Sequence, residues 1–313
     1  MSIRISLGFP VLAAALLSLA PAAFADDAQN PTPTPAPTPS SAPQTNLYGD
    51  SVSQYFQNWF LRSDAARASQ PHWMTPLVTV TPRLEQEFRY DQYWEHLGNS
   101  ANIDLYDGGK GLELIPTTTN EVLFNLPAYE DRSIKKPATG WADWQFLVIK
   151  QRLLSENEQN GNYILTAFLG IQAPSGDEAF TNHAWVVTPT IAGGKGYGPF
   201  DVQSTLSVAL PVSHADTIGD AMVWNTALQA HFLERFWPEV EFNLTHWFGG
   251  QRDGKTQLFI TPGLILGRFQ LYDRLNFAIG AGYQVAVTPN LTTSPVLTPT
   301  YNHAFIITAR TPF

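Results

Sequence analysis

Between Phe200 and Leu210 the chain alternates with a period of two. Phe200, Val202, Leu206, Val208 and Leu210 share one parity, while Asp201, Gln203, Thr205, Ser207 and Ala209 share the other. A strand turns successive side chains to opposite faces, so this segment carries one oily face and one polar or small face. The same sorting sets Leu84, Phe88, Tyr90 and Trp94 against Arg83, Glu85, Glu87, Arg89 and Asp91. It returns in Val240, Phe242, Leu244 and Phe248 against Glu239, Glu241, Asn243 and Thr245, and in a last strand ending on Phe313. A soluble sandwich also alternates, but charges sorted this cleanly from bulky rings suit a wet lumen inside an oily wall.

The start of the chain agrees with that reading. Arg4, the mostly apolar run Ile5–Leu19 and the triplet Ala23-Phe24-Ala25 make an export signal over residues 1–25. Beyond it no stretch approaches the ~18–20 apolar residues of a spanning helix, so a membrane location requires strands. The chain has no cysteine, which excludes disulfides and thiolate chemistry. Its 18 basic against 27 acidic residues argue against a nucleic-acid partner. Nine Trp, 11 Tyr and 19 Phe supply the rings that interfacial girdles need.

The expected fold is all-β: a transmembrane, antiparallel, up-and-down β-barrel over residues 75–313, of about 12 strands. Pro189 and Pro262 fall inside proposed strands and leave about 10 to 14 open. Residues 26–46 are Pro-rich, as in Asn30–Pro37, and form an extended disordered spacer. Residues 47–70 are expected to hold a short amphipathic helix, because Tyr48, Val52, Tyr55, Phe56, Trp59 and Phe60 make one aromatic stripe. Ser51 and Gln54 have capping-box spacing there. This helix should cover the barrel base; the alternatives are a plug in the lumen and a helix lying on the inner leaflet. Connections near 95–109, 130–140, 173–183, 212–219 and 288–299 are expected to be the outward loops. Those at 117–120, 194–199, 233–238 and 268–273 read as short periplasmic turns, with Leu153–Gly161 long for a turn.

The segment Gly170-Ile171-Gln172-Ala173-Pro174-Ser175-Gly176-Asp177, followed by the glycine-rich Gly193–Gly198 and an alternating strand, resembles the outer-membrane family named for the meta-pathway of phenol degradation. The likeness covers roughly residues 160–313, and Ser175 stands where that family usually has threonine. It implies an outer-membrane transporter for aromatic or other small hydrophobic compounds. It carries no functional residues over.

The candidate lumen residues are Arg83, Glu85, Glu87, Arg89, Asp91, Asn225, Gln229, His231, Glu239 and Glu241. Opposed charges across a pore would tune solute preference; alternatively they pair and fill a narrow interior. Phe313 resembles the terminal residue read by barrel-assembly machinery, which with outer-membrane lipid and small-molecule cargo makes the expected partner set. The seven histidines show no zinc spacing, and no cofactor motif is present. The favoured function is an outer-membrane channel or transporter for small molecules. Two others are kept open. One is a lipid hydrolase using Ser213 and His214, although the Asn-Gly-x-x-Ser element of such enzymes is missing. The other is a structural or surface-interaction barrel with a closed lumen.

Overall fold

A computed structural model describes residues 46–98, 101–108, 110–133, 137–288 and 301–313. The export signal and nearly all of the Pro-rich spacer lie outside the described residues. The wall begins at β1 (Glu87–Gly98), four residues after the start of the alternation at Arg83 and inside the expected barrel boundary at residue 75. It continues through β2 (Ala101–Asp107), β3 (Gly111–Leu114), β4 (Asn120–Asn125), β5 (Tyr129–Ser133), β6 (Ala138–Trp141) and β7 (Trp144–Glu156). Then come β8 (Tyr163–Ala173), β9 (Val186–Tyr197), β10 (Phe200–Pro211), β11 (Asp220–Ala230) and β12 (Phe236–Phe248). The last three are β13 (Thr256–Tyr272), β14 (Leu275–Ala286) and β15 (His303–Pro312).

These fifteen segments form one antiparallel sheet, and β15 pairs back onto β1 from Glu87↔Pro312 to His96↔His303. Among the described residues closure leaves only the short β6 paired on one side, close to the edge-free sheet that a strand-built structure in lipid requires. One arc of the wall is creased. β1 pairs with β3 at Glu87 and Phe88 and with β2 from Asp91 upward, so β2 and β3 are one stave interrupted between Asp107 and Gly111. β4 and β5, and β6 and β7, are interrupted at the same level, so the fifteen segments make twelve staves.

Pro189 and Pro262 lie within β9 and β13 and do not end them. The ladder skips the pairs around each proline on one side and resumes in the same register. β7 mixed its parities in the sequence because register shifts near Trp144 and Leu153 turn successive apolar residues the same way.

On the outer surface Trp224, Leu228, Phe242, Ile279, Tyr283 and Phe305 are exposed, while Asp201, Gln203, Glu239, Glu241 and Gln284 are buried inside. The connections sort by end. Residues 157–162, 198–199, 231–235 and 273–274 close one rim; 174–185, 212–219 and 249–255 crown the other. Leu153–Gly161 is therefore not a long turn, because β7 runs on to Glu156. The expected outward loop at 95–109 is mostly strand, forming the β1–β2 hairpin. Gly193, Gly194 and Gly196 sit in β9, and only Gly198 and Pro199 turn the chain.

At the short-turn rim lie α1 (Val52–Gln57) and α2 (Trp59–Ala68). The Ser51 hydroxyl caps α1 by accepting from the Gln54 amide at 3.2 Å. Arg62, Ser63 and Ala66 make the buried face of α2. Arg67 donates to the carbonyls of Gln86 and Phe313, tying the helix to the last residue of the wall.

Candidate functional site

Between α2 and β1 the chain does not run along the wall. Residues 70–86 cross the lumen as an extended strap, and of these only His72 is exposed. Pro71, Pro76 and Pro82 keep the strap out of helix and deny it a full strand ladder. A buried stretch of bare backbone must find partners for its amides and carbonyls. The wall supplies them from charged side chains: a carboxylate accepts from amides, and a guanidinium donates to carbonyls.

Glu239 accepts from the Leu77 amide at 3.0 Å, and Glu241 accepts from the Val78 and Thr79 amides at 2.7 and 2.6 Å. Arg310 donates to the Thr75 and Pro76 carbonyls, Arg89 to Leu77, and Arg268 to His72 and Trp73. Gln203 donates to the Met74 carbonyl at 2.9 Å and accepts from the Thr81 hydroxyl at 2.7 Å. Thr166 donates to Pro82, Lys150 to Arg83, and Glu121 accepts from the Glu85 amide.

The apolar side chains of the strap fit recesses cut into the wall. A Cβ at Gly263, Gly280 or Gly282 would lie 2.3, 2.8 or 2.6 Å from a terminal carbon of Leu77. One at Gly194 would lie 2.5 Å from the Trp73 ring. All four positions are glycine in order to receive these side chains. On the other side Val80 packs against Leu123, Val148, Phe168 and Ala192.

The strap divides the lumen. Toward the long loops, a cavity of about 230 Å³ rests on Thr75, Val80 and Thr81, walled by Arg89, Lys110 and Phe168 among others. Toward the short turns lies a second of about 490 Å³, bounded by His72, Trp73, Asp201, His231, Trp237 and Arg268.

The ten candidate residues separate into three settings. Glu87, Arg89, Asp91, Asn225, Gln229, Glu239 and Glu241 belong to the inner face of the wall. Arg83 and Glu85 belong to the strap, so the five-residue ladder from Arg83 to Asp91 is broken at residue 86. His231 leaves the strand and stacks on Trp237 at the rim, with ring centroids 3.9 Å apart. Within the wall Arg89 pairs with Asp91 at 2.8 Å, and Arg83 pairs with Glu85 at 2.8 Å within the strap. Gln229 donates to Glu239 and accepts from Gln203, while Asn225 accepts from Asn243.

Sequence reasoning missed Lys110, Glu121, Lys150, Arg268 and Arg310. Arg310 was findable, since it shares parity with the small or polar Ala304 and Thr308. Arg268 lies at a register shift, and Lys150 lies between two shifts that scramble the parity of β7. Ser213 and His214 stand on an outward loop. There the His214 carbonyl accepts from Thr217 and Ile218, which starts the short α3 (Ala215–Ile218). Among the described residues no group of three or more His, Asp or Glu is placed to hold a metal.

No protein-family model and no curated protein matches the chain. Among solved structures, a NanC porin is similar over 72% of this chain and 98% of its own, at 7% identity and a TM-score of 0.44. An outer-membrane channel from Pseudomonas putida F1 covers 72% and 92% at 13% identity and a TM-score of 0.44. OmpT, an outer-membrane protein of Vibrio cholerae, covers 72% and 95% at 9% identity and a TM-score of 0.32. The architecture rests on the strand pairing itself.

Proposed function

We propose that the chain is an outer-membrane channel for small molecules, closed at rest by the strap and opened when the strap leaves its wall contacts. One observation carries this reading: the lumen is stopped by a segment that is not part of the wall. A narrow barrel of about eight strands fills its interior with wall side chains. Here the wall instead presents recesses and polar partners to a removable piece of chain, with a cavity on each side of it. The outer-membrane location is supported by the ring-studded exterior and by the short and long connections sorted to opposite ends. The resemblance in the Gly170–Asp177 segment adds aromatic or hydrophobic compounds as a cargo class.

Charge-assisted hydrogen bonds are worth roughly 1.5–3 kcal/mol each, about what it costs to order one or two residues. The strap is thus held bond by bond. Replacing Glu239 and Glu241 together by glutamine should raise open probability in planar bilayers roughly ten- to a hundredfold, at about 1.4 kcal/mol per factor of ten. Wild type should show rare, brief openings. If the double variant, correctly folded, passes no current and liposomes carrying it do not swell in any small solute, the channel reading fails and a sealed scaffold is the better description.

A further inference from the structure

The cavity above the strap has a polarity that the paired charges around it do not cancel. Arg89, Lys110, Lys150 and one carboxylate, Glu113, line it. Arg89 is held by Asp91, and Lys150 lies 2.8 Å from Glu121 and 4.0 Å from Glu113. Asp91 and Glu121 do not line the cavity, so both pairs turn their positive ends toward the space. Lys110 makes no ion pair or side-chain hydrogen bond among the described residues. It stands at the crease between β2 and β3, where the interrupted ladder brings it to the inner face. Beside these cations the lining is mixed: Thr75 and Thr81 flank Val80 on the strap, and Leu123, Val148 and Phe168 form an apolar patch of the wall, the Phe168 ring centroid lying 5.3 Å from Lys150 Nζ. The volume of about 230 Å³ corresponds to roughly eight waters at about 30 Å³ each. That is below the usual range of drug-sized pockets, about 300–1,000 Å³.

We infer that this cavity binds a small organic monoanion, its carboxylate on Lys110 beside Arg89 and its apolar body on Phe168 and Val148. A ligand there also touches Thr75, Val80 and Thr81, the upper surface of the strap. It would be the last thing a solute meets before the closure. The inference rests on the channel reading for its biological sense, but the binding itself does not require transport.

The probe is benzoate, one ring and one carboxylate, against benzamide, the neutral molecule of nearly the same shape. Both are titrated calorimetrically into the full-length protein in detergent micelles, with empty micelles subtracted. Benzoate should bind saturably and at least tenfold tighter than benzamide. Lys110→Met should bring benzoate down to the benzamide level and leave benzamide unchanged, while Lys110→Arg should retain benzoate. The comparison of the two ligands on wild type holds even if Lys110→Met does not fold. Benzoate that does not saturate, or binds no tighter than benzamide, overturns the inference, as does a folded Lys110→Met that still prefers benzoate. Any of these would leave the bilayer result of the Glu239/Glu241 variant standing, so the two readings fail separately.

Discussion

Gly282 shows how much a single missing side chain does in this barrel. A Cβ there would fall 2.6 Å from Leu77 Cδ1 and 3.2 Å from the Pro262 carbonyl. The second contact is with backbone, so the wall cannot give way, and it is Leu77 that must move. Gly282→Val should therefore expel Leu77 while leaving β14 in place, since its outward residues Tyr283 and Val285 still face lipid. The expected outcome is an intact barrel, by unheated gel mobility, with raised conductance. Leu77→Ala approaches the same recess from the other side, and losing a buried leucine costs about 2–5 kcal/mol. If both variants conduct like wild type, the recess is filler and does not hold a gate. Gly280 and Gly282 share one parity in the sequence of β14, but the side chain they accommodate, Leu77, lies some two hundred residues earlier and carries no local signal of that contact.

The strap is an element defined by what it lacks: a neighbour strand, a helix, and three of its own amides at the prolines. Its attachment at the rim is accordingly electrostatic. The Glu158 carboxylate, in the turn after β7, accepts from both the main-chain amide and the ring of His72, the ring contact being 2.9 Å. Partial burial alone would raise the Glu158 pKa, but the hydrogen bonds from His72 outweigh it and the net shift is downward. A carboxyl whose pKa is lower folded than unfolded stabilises the fold above the unfolded value, about 4.3. That contribution is lost as pH falls through the lower, folded value. The strap should therefore loosen at its rim end below about pH 4. Hydrogen exchange at His72 and Trp73 should accelerate there in wild type, beyond the intrinsic pH dependence. In Glu158→Gln the same amides should already be fast at neutral pH and show no such step. Equal profiles for the two proteins would remove this contact from any account of closure. The Gly170–Asp177 segment has a comparable pinning role at the opposite end. Gly176 and Asp177 bond to Asp143 and to the Trp141 backbone, fixing the interrupted stave of β6 and β7.

At the scale of the molecule, the twelve staves were legible because two solvents enforce the period: oil outside and polar groups inside. The strap was not legible as such, since it is extended too and alternates in the same way. Leu77, Thr79 and Thr81 are buried while Val78 and Val80 are only half-buried. Alternation reports that a backbone is extended; it does not say whether lipid or a lumen lies beside it. Three prolines in twelve residues, at 71, 76 and 82, were the available sign that the stretch ahead of Glu87 differs from the wall, where β9 and β13 each carry a single proline. The same difference in support should separate the two parts dynamically. In the wall each stave is held by ladders on both sides, and opening any one breaks the closed sheet at a cost near that of global unfolding. Between its two end residues, Gln70 and Gln86, the strap is held by side chains, so it can leave by a local opening. In native-state exchange the amides of Leu77, Val78 and Thr79 should open at least a hundredfold more often than those of Phe242 and Leu244, which lie in the middle of β12. The Glu239→Gln/Glu241→Gln variant should speed the first set and leave the second unchanged. Should strap and wall amides exchange together, in one cooperative step, the strap is part of the barrel's own core and cannot serve as its door.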